Sequence, residues 1–430
     1  MESQTHTRSF LEQLFRTATA AAHPSTCLPS HLPPPPSGKL IVLAAGKAAG
    51  SMTEVAEQFY LQQNRLISNN LIGIAVARHG YGRPTRRIRM VEAGHPVPDA
   101  AGLEAANEAL ALADAATADD LVLVLMSGGA SANWIAPAEG LSFADKQAVT
   151  RALLRSGANI SEINTVRKHL SRIKGGRLAR HAQPARVVTL AISDVPRDEP
   201  SAIGSGPTVP DPTMLAEARS IVARYKLDLP ASVTRALNDP ANETPKPGDP
   251  IFQNTSFALI ARPADALAAA EREARAAGYD CIMLGDRVEG EAREVANEHA
   301  RLARDLLAQG KRAVIMSGGE LTVTIRGKGR GGPNQEYALA LAVALDGTPL
   351  AAIAGDTDGT DGGGGDASDP AGAYVDGGTA ERARKAGLDP AAFLADNDST
   401  GFFGRLGDLL TPGPTFTNVN DFRAIVVDPA

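Results

Sequence analysis

Short, unbroken apolar runs recur along this chain, and each gives way to a segment whose apolar residues follow helical spacing. Leu40-Ile-Val-Leu-Ala-Ala45, Leu71-Ile-Gly-Ile-Ala-Val76, Leu121-Val-Leu-Val-Leu-Met126 and Val187-Val-Thr-Leu-Ala-Ile192 are the clearest runs. A strand that is apolar at every position is buried on both faces, and intervening helices cover those faces in a parallel sheet. The alternation therefore predicts an α/β fold with a parallel sheet covered on both faces in the N-terminal half. Further strands are expected over Ser256–Ala261, Asp280–Leu284, Ala313–Met316, Leu321–Ile325, Leu350–Ala354 and Ala424–Val427, with a helix over Ala264–Ala277. The polar, Pro-rich stretch Asp239–Pro250 is the expected boundary between an N-terminal domain, 1–245, and a smaller C-terminal α/β domain, 246–430. A helix over Ser9–Ala22 and a stiff polyproline connector, His31–Gly38, precede the first strand.

Charge and cysteine content exclude several classes. The 43 basic and 49 acidic residues leave a formal net charge of −6, which gives no electrostatic case for nucleic acid or an anionic membrane as partner. Only two cysteines are present, Cys27 and Cys281, so a disulfide framework is excluded and a reducing compartment is expected. The N-terminus is polar and lacks an apolar signal core. No apolar run approaches the ~18–20 residues of a membrane span. The expectation is a cytoplasmic protein.

Several motifs sit where these strands end. Gly46-Lys47 joins the first strand to a helix running to about Gln63, which puts a lysine beside the unpaired N–H donors of a helix start. It is not a Walker A loop, because no Gly-Lys-Ser/Thr occurs. Gly94-His95-Pro96-Val-Pro98-Asp99 reads as a rigid turn in which Asp99 caps the next helix. Ser127-Gly128-Gly129-Ala-Ser131 follows the most apolar strand, and its glycines let backbone N–H groups approach an anion. The sequence Met-Ser-Gly-Gly recurs at 316–319, ahead of Glu320. Arg167, Lys168, His169, Arg172, Lys174 and Arg177 crowd one stretch with no interleaved acid, which suits either a solvated helix face or a site for a polyanionic small molecule.

Asp194, just past a buried strand, can hold Mg²⁺ or take a proton. Gly327-Lys-Gly329-Arg330-Gly331-Gly332 satisfies G-x-G-x-x-G, but Pro333 starts the following helix, so the last glycine lies outside it. A phosphate grip using Arg330 fits that loop better than a nicotinamide fingerprint. Asp356-Thr-Asp358-Gly-Thr-Asp361-Gly362 looks like a calcium loop but fails the EF-hand pattern, and the run Gly362–Gly365 reads as a flexible surface insertion.

In order along the chain, Ala45-Gly46-Lys47-Ala48, Ala93–Asp99, Ser127–Ser131, His169–Arg177, Ser193-Asp194-Val195, Gly204–Pro210, Met316–Glu320, Gly331-Gly-Pro-Asn334-Gln-Glu336, Asp356–Gly362 and Thr417–Asp421 together resemble the glycerate 2-kinase family, whose C-terminal half is the MOFRL domain. The resemblance spans nearly the whole chain. It implies a Rossmann-like domain, a smaller MOFRL domain and an active site in the cleft between them. It implies ATP and glycerate as substrates, 2-phosphoglycerate as product and Mg²⁺ as cofactor. The residues it points to as catalytic are Lys47 and Arg330, beside which the strand-end carboxylate Asp194 is the candidate base or metal ligand. As binding residues it points to Gly46, Ser127, Gly128, Gly129, Ser131, Lys174, Ser317, Gly318, Gly319, Glu320, Asn334 and Glu336, with Asp194 and Asp358 on the metal. The Gly362–Gly365 run departs from the family's Asp-Gly loop, which leaves Asp366 and Asp369 without assigned roles. An NAD(P)H-dependent hydroxypyruvate reductase is the alternative reading, and a non-catalytic phosphometabolite-binding module is a third. The oligomeric state stays open, with a homodimer among the options.

Overall fold

The computed structural model describes residues 2–63, 69–363 and 366–429. The chain falls into two compact units, Leu28–Ile260 and a second made of Met1–Cys27 with Ala261–Ala430. Among the described residues no helix is long and apolar enough to cross a membrane.

The Leu28–Ile260 unit is built on strands β1 (Leu40–Ala45), β2 (Leu71–Arg78), β3 (Arg89–Ala93), β4 (Leu121–Met126), β5 (Arg186–Ile192) and β6 (Thr255–Ala261). Their order is β3-β2-β1-β4-β5-β6. The pairs β3–β2, β2–β1, β1–β4 and β4–β5 are parallel. β1 and β4 are buried along their full lengths, as their unbroken apolar runs require. The chain builds outward from β1 to β3, then returns to β4 on the other side of β1. Connections on the two sides of that point leave in opposite directions, which opens a crevice at the carboxyl ends of β1 and β4.

β3 was not anticipated. Only Ala93 of its five residues is buried, and Arg89 and Glu92 are exposed, so it lacks the apolar run that marks its neighbours. The Pro-rich stretch 239–250 is not a loose linker either. It folds into tight turns at Pro240–Asn242 and Pro250–Phe252, with Asn242 and Thr244 buried. β6 lies beyond it yet borders β5, so this sheet continues past residue 245.

The second unit contains β7 (Asp280–Met283), β8 (Val288–Glu291), β9 (Ala313–Ser317), β10 (Gly319–Thr322), β11 (Ala351–Asp356), β12 (Gly372–Asp376), β13 (Leu409–Leu410) and β14 (Asp421–Val427). Six form a sheet in the order β13-β12-β11-β14-β9-β7, in which only β7–β9 is parallel. β10 pairs with β8 in a separate ribbon and ends at Thr322, short of the expected Ile325, whose side chain is 80% exposed. The helix Pro333–Ala344 is buried over Asn334–Ala342 and forms the centre of this core. The N-terminal helix, Glu2–Ala21, belongs here rather than with the first sheet. Its Leu11, Leu14, Phe15 and Ala18 are buried, and it packs on the helix Pro263–Ala276 and on β11 and β14. Phe15 meets Phe422 edge-on, with ring centroids 6.2 Å apart. An apolar helical stripe goes where its face can be covered, and here that cover comes from the far end of the chain.

Candidate active site

The turn after β1 is braced against the turn after β4. The Lys47 amide donates to the Gly128 carbonyl (2.8 Å), the Ala48 amide to Ser127 Oγ (2.9 Å) and the Ser127 amide to the Ala45 carbonyl (3.2 Å). Gly46, Lys47, Ser127, Gly128 and Gly129 thus form one double turn at the switch point of the sheet. Gly129 is left-handed (φ +84°), and a Cβ there would stand 2.9 Å from His95 Cδ2 and 3.3 Å from Lys47 Cγ. Only glycine lets His95 and Lys47 flank the backbone so closely. The amides of Gly128 and Gly129 donate to no backbone carbonyl among the described residues. Consecutive N–H groups beside a half-buried lysine are suited to phosphate oxygens. Asp99 caps the helix Ala100–Asp114 as expected, accepting from the amides of Gly102 and Gly94. Met126 pairs with Ala191, so Asp194, three residues on, lies at the same sheet edge one strand over.

The basic stretch separates into two kinds of residue. His169 is buried between the Thr165 carbonyl (2.8 Å) and Glu243 (3.1 Å), and Lys168 forms a buried ion pair with Asp211 (3.3 Å); both hold the fold. Lys174 and Arg167 instead converge on Ser131. Lys174 Nζ lies 2.9 Å from Ser131 Oγ and 2.8 Å from its carbonyl, and Arg167 Nη2 lies 3.0 Å from the same Oγ. Ser131 Oγ is also 2.9 Å from Ser205 Oγ. Lys146, buried nearby, donates to the carbonyls of Arg167 and Leu170 at a helix C-terminus. Burial pushes the Lys174 ammonium well below its usual range, and the charges of Arg167 and Lys146 push it further.

In the second unit β9, β11 and β14 bring different chemistry to one sheet edge. Asp361 seats its carboxylate on the start of the helix Pro333–Ala344. It accepts from the amides of Asn334 (3.0 Å) and Gln335 (2.8 Å) and from both side-chain amides. Burial raises its pKa to about 7, against the pull of those amides and with added repulsion from Asp421. Asn334 also donates to Asp421 (2.6 Å), which pairs with buried Arg423 (3.1 Å). Asp421 is likewise raised by burial, with the neighbouring charge of Asp358 adding to the shift. Asp358 is buried and accepts from the Thr360 amide (2.8 Å).

Several expected binding residues are engaged within this unit. Arg423 Nε donates to Ser317 Oγ (3.2 Å) and Nη2 to the Gly318 carbonyl (2.8 Å), so the second Ser-Gly-Gly turn, unlike the first, is filled by a side chain of its own fold. Gly319 and Glu320 continue into β10. Glu336 is buried against Arg293 and Asn397, a structural ion pair. Arg330 has its side chain 69% exposed and reaches Asp369 at 3.4 Å.

The G-x-G-x-x-G loop is closed to a dinucleotide. A Cβ on Gly331 would meet Ser399 Oγ at 2.0 Å, and one on Gly332 would meet Asp361 at 2.4 Å. The space a pyrophosphate needs is taken by the chain itself, and the helix start is taken by Asp361. The Asp356–Asp361 turn is largely buried. Gly362 and Gly363 are exposed, while Gly364 and Gly365 lie outside the described residues. Arg167 and Ser205 were missed as site residues because their signals, a basic stretch and a Gly-Ser-Gly turn, do not say where a side chain converges. Asp361, Asp421 and Arg423 were missed because a charged residue in a turn or at the start of a strand looks the same buried or solvated.

A doubly wound parallel sheet with two braced glycine turns at its switch point is the architecture of an α/β enzyme whose ligands sit at the carboxyl ends of the strands. Residues 313–421 match the MOFRL family, and residues 10–238 match a domain of unknown function, DUF4147. A D-glycerate 2-kinase of Thermotoga maritima is 36% identical over 95% of this chain and 95% of its own length. The crystal structure of a glycerate kinase from that organism superimposes with a TM-score of 0.87, at 35% identity, over 98% of this chain and 100% of that one. An Agrobacterium vitis protein with the provisional name hydroxypyruvate reductase is 47% identical over 98% of this chain and 94% of its own. The chain belongs to the glycerate 2-kinase family.

Proposed function

We propose that this chain transfers the γ-phosphoryl group of ATP to the 2-hydroxyl of glycerate, giving 2-phosphoglycerate and ADP. The observation that carries the reading is the double turn of Gly46-Lys47 and Ser127–Gly129 at the switch point, in a chain similar along its length to a D-glycerate 2-kinase. Phosphoryl transfer asks a protein for positioning and charge neutralisation more than for covalent chemistry. Lys47 and the amides of Gly128 and Gly129 neutralise phosphoryl oxygens. Asp194, at the adjoining strand end, receives the proton of the attacking hydroxyl. Arg330, largely exposed on its loop, is free to swing onto anionic oxygen.

Mg²⁺ fits the donor chemistry of this chain. Such sites use one or two carboxylates and complete the shell with phosphates and water. Asp358 beside Asp421, two buried carboxylates whose charges oppose each other, is a pair that a cation would relieve, and Asp194 is a further single donor. Bound there, the ion would offset the negative charge of the nucleotide phosphates. The two cysteines form no disulfide, which supports a reducing, cytoplasmic setting.

Incubation with glycerate and MgATP is expected to release ADP, and phosphorus NMR to place the new phosphate at C2. EDTA is expected to abolish turnover and excess Mg²⁺ to restore it. Oxidation of NADH or NADPH by hydroxypyruvate without ADP formation would overturn the reading, and the filled Gly331-Gly332 loop argues against that outcome.

A further inference from the structure

We infer that Ser131, Arg167 and Lys174 form the subsite for the carboxylate of the α-hydroxy acid, and that gripping it there selects the 2-hydroxyl over the 3-hydroxyl. The inference rests on the kinase reading for the identity of the acid.

Three features of the cluster carry it. It gathers cations without acids: Lys146 and Lys174 donate only to carbonyls and a hydroxyl, Arg167 only to Ser131, and none forms an ion pair among the described residues. Lys168, by contrast, forms a buried ion pair with Asp211. Buried positive charge left without a counter-ion is costly, and an incoming anion repays that cost.

Secondly, the hydrogen-bond directions are fixed. Ser131 Oγ accepts from Arg167 and from Lys174, so its own proton goes to Ser205 Oγ. Arg167 Nε is shut from water and has no partner. The cluster therefore offers donors, and a planar guanidinium with an unused N–H suits a planar two-oxygen acceptor better than a lysine alone would. Ser131 and Arg167 each keep part of their surface open.

The third feature is placement. Ser131 stands two residues beyond Gly129, whose turn is the phosphate cradle. In an α-hydroxy acid the 2-hydroxyl sits on the carbon bonded to the carboxylate, so an anchor this close to the phosphate brings O2 into reach and leaves O3 one carbon further away. Ser205 stands in a left-handed turn (φ +64°) between Gly204 and Gly206, with its hydroxyl 2.9 Å from that of Ser131.

The test compares wild type with Arg167→Lys, Lys174→Met and Ser131→Ala, each checked for native circular dichroism. The expected result is a KM for glycerate raised roughly 10- to 100-fold, the range for losing one charge-assisted hydrogen bond. The KM for ATP stays unchanged, and some 3-phosphoglycerate appears in the product. Lactate, with the carboxylate and 2-hydroxyl but no 3-hydroxyl, competes with glycerate in wild type and loses this in the variants, whereas glycerol competes in neither. A raised KM for ATP, or variants kinetically equal to wild type, would overturn the assignment. Calorimetric titration with lactate reads the subsite without turnover. If no ADP forms but the variants lose the lactate heat, the kinase reading fails and the carboxylate site stands. If ADP forms and the variants bind lactate as wild type does, the reverse holds.

Discussion

Lys47 is held in place through its main chain. Its amide is bound to Gly128 while its stem runs past Gly129 at a half-buried position, so truncation leaves little void. Lys47→Ala is expected to lower kcat on the order of 10²–10³-fold, as removal of one preorganised electrostatic donor does, with the melting temperature nearly unchanged. Steady-state kinetics beside a thermal melt would separate the two effects. Asp361 is the converse case, a buried group whose protonation bears on the fold. Its folded pKa of about 7 lies above the ordinary value near 4, so the stability it contributes is complete below about pH 4 and is lost as pH rises through about 7. Urea titrations from pH 4 to pH 8 should show wild type losing stability relative to Asp361→Asn as pH rises, and a constant difference would show that Asp361 does not titrate in that range. Lys47 was legible in the sequence because a lysine between an apolar run and a helix has few places to go. Asp361 was visible only as one aspartate among several, since burial depends on a helix start that arrives from residues 333–335.

At the scale of elements, runs of apolar residues gave strands their positions to within one or two residues, as at β1, β4 and β5. β3, β8, β12 and β13 were not legible: β3 and β8 carry charged, exposed residues, β13 spans only two residues, and the buried run of β12 is just Ala-Tyr-Val between a glycine and an aspartate. Both Ser-Gly-Gly turns were legible as turns, but their states differ. The first keeps its glycine amides clear, while Arg423, two residues into β14, fills the second. The first turn makes a direct prediction. Gly129→Ala places a methyl against His95 and Lys47 in a left-handed conformation. We expect a stability loss of about 1–3 kcal/mol in denaturant titrations, together with a fall in kcat larger than the fall in stability explains. Loss of stability alone, with kcat intact in the folded fraction, would return the turn to a purely architectural role.

For the molecule as a whole, the unit boundaries are what the sequence concealed. Composition shifts at Asp239–Pro250, and that shift invites a boundary, but backbone pairing carries the first sheet on to Ala261. The apolar stripe of the Glu2–Ala21 helix was plain in the sequence, while its seat was not, because periodicity reports a buried face and not the surface that buries it. Leu14→Ala is therefore expected to cost about 2–5 kcal/mol, by the measure of other fully buried leucines, and to do so in the unit that contains β11 and β14. Hydrogen exchange should show the faster opening confined to that unit, with amides of β1, β4 and β5 unaffected.

That seat also imposes an order of events on the ribosome. The Glu2–Ala21 helix is synthesised well before β14, which completes the surface it covers. About 400 residues separate them, so at ~5–20 residues per second the newborn helix waits roughly 20–80 s with Leu11, Leu14 and Phe15 uncovered. The Leu28–Ile260 unit is continuous in the chain and has all its strands in hand long before that wait ends. A nascent chain of this protein thus carries an uncovered apolar helix while the intervening residues are made, and a chaperone that recognises short amphipathic helices would find it there.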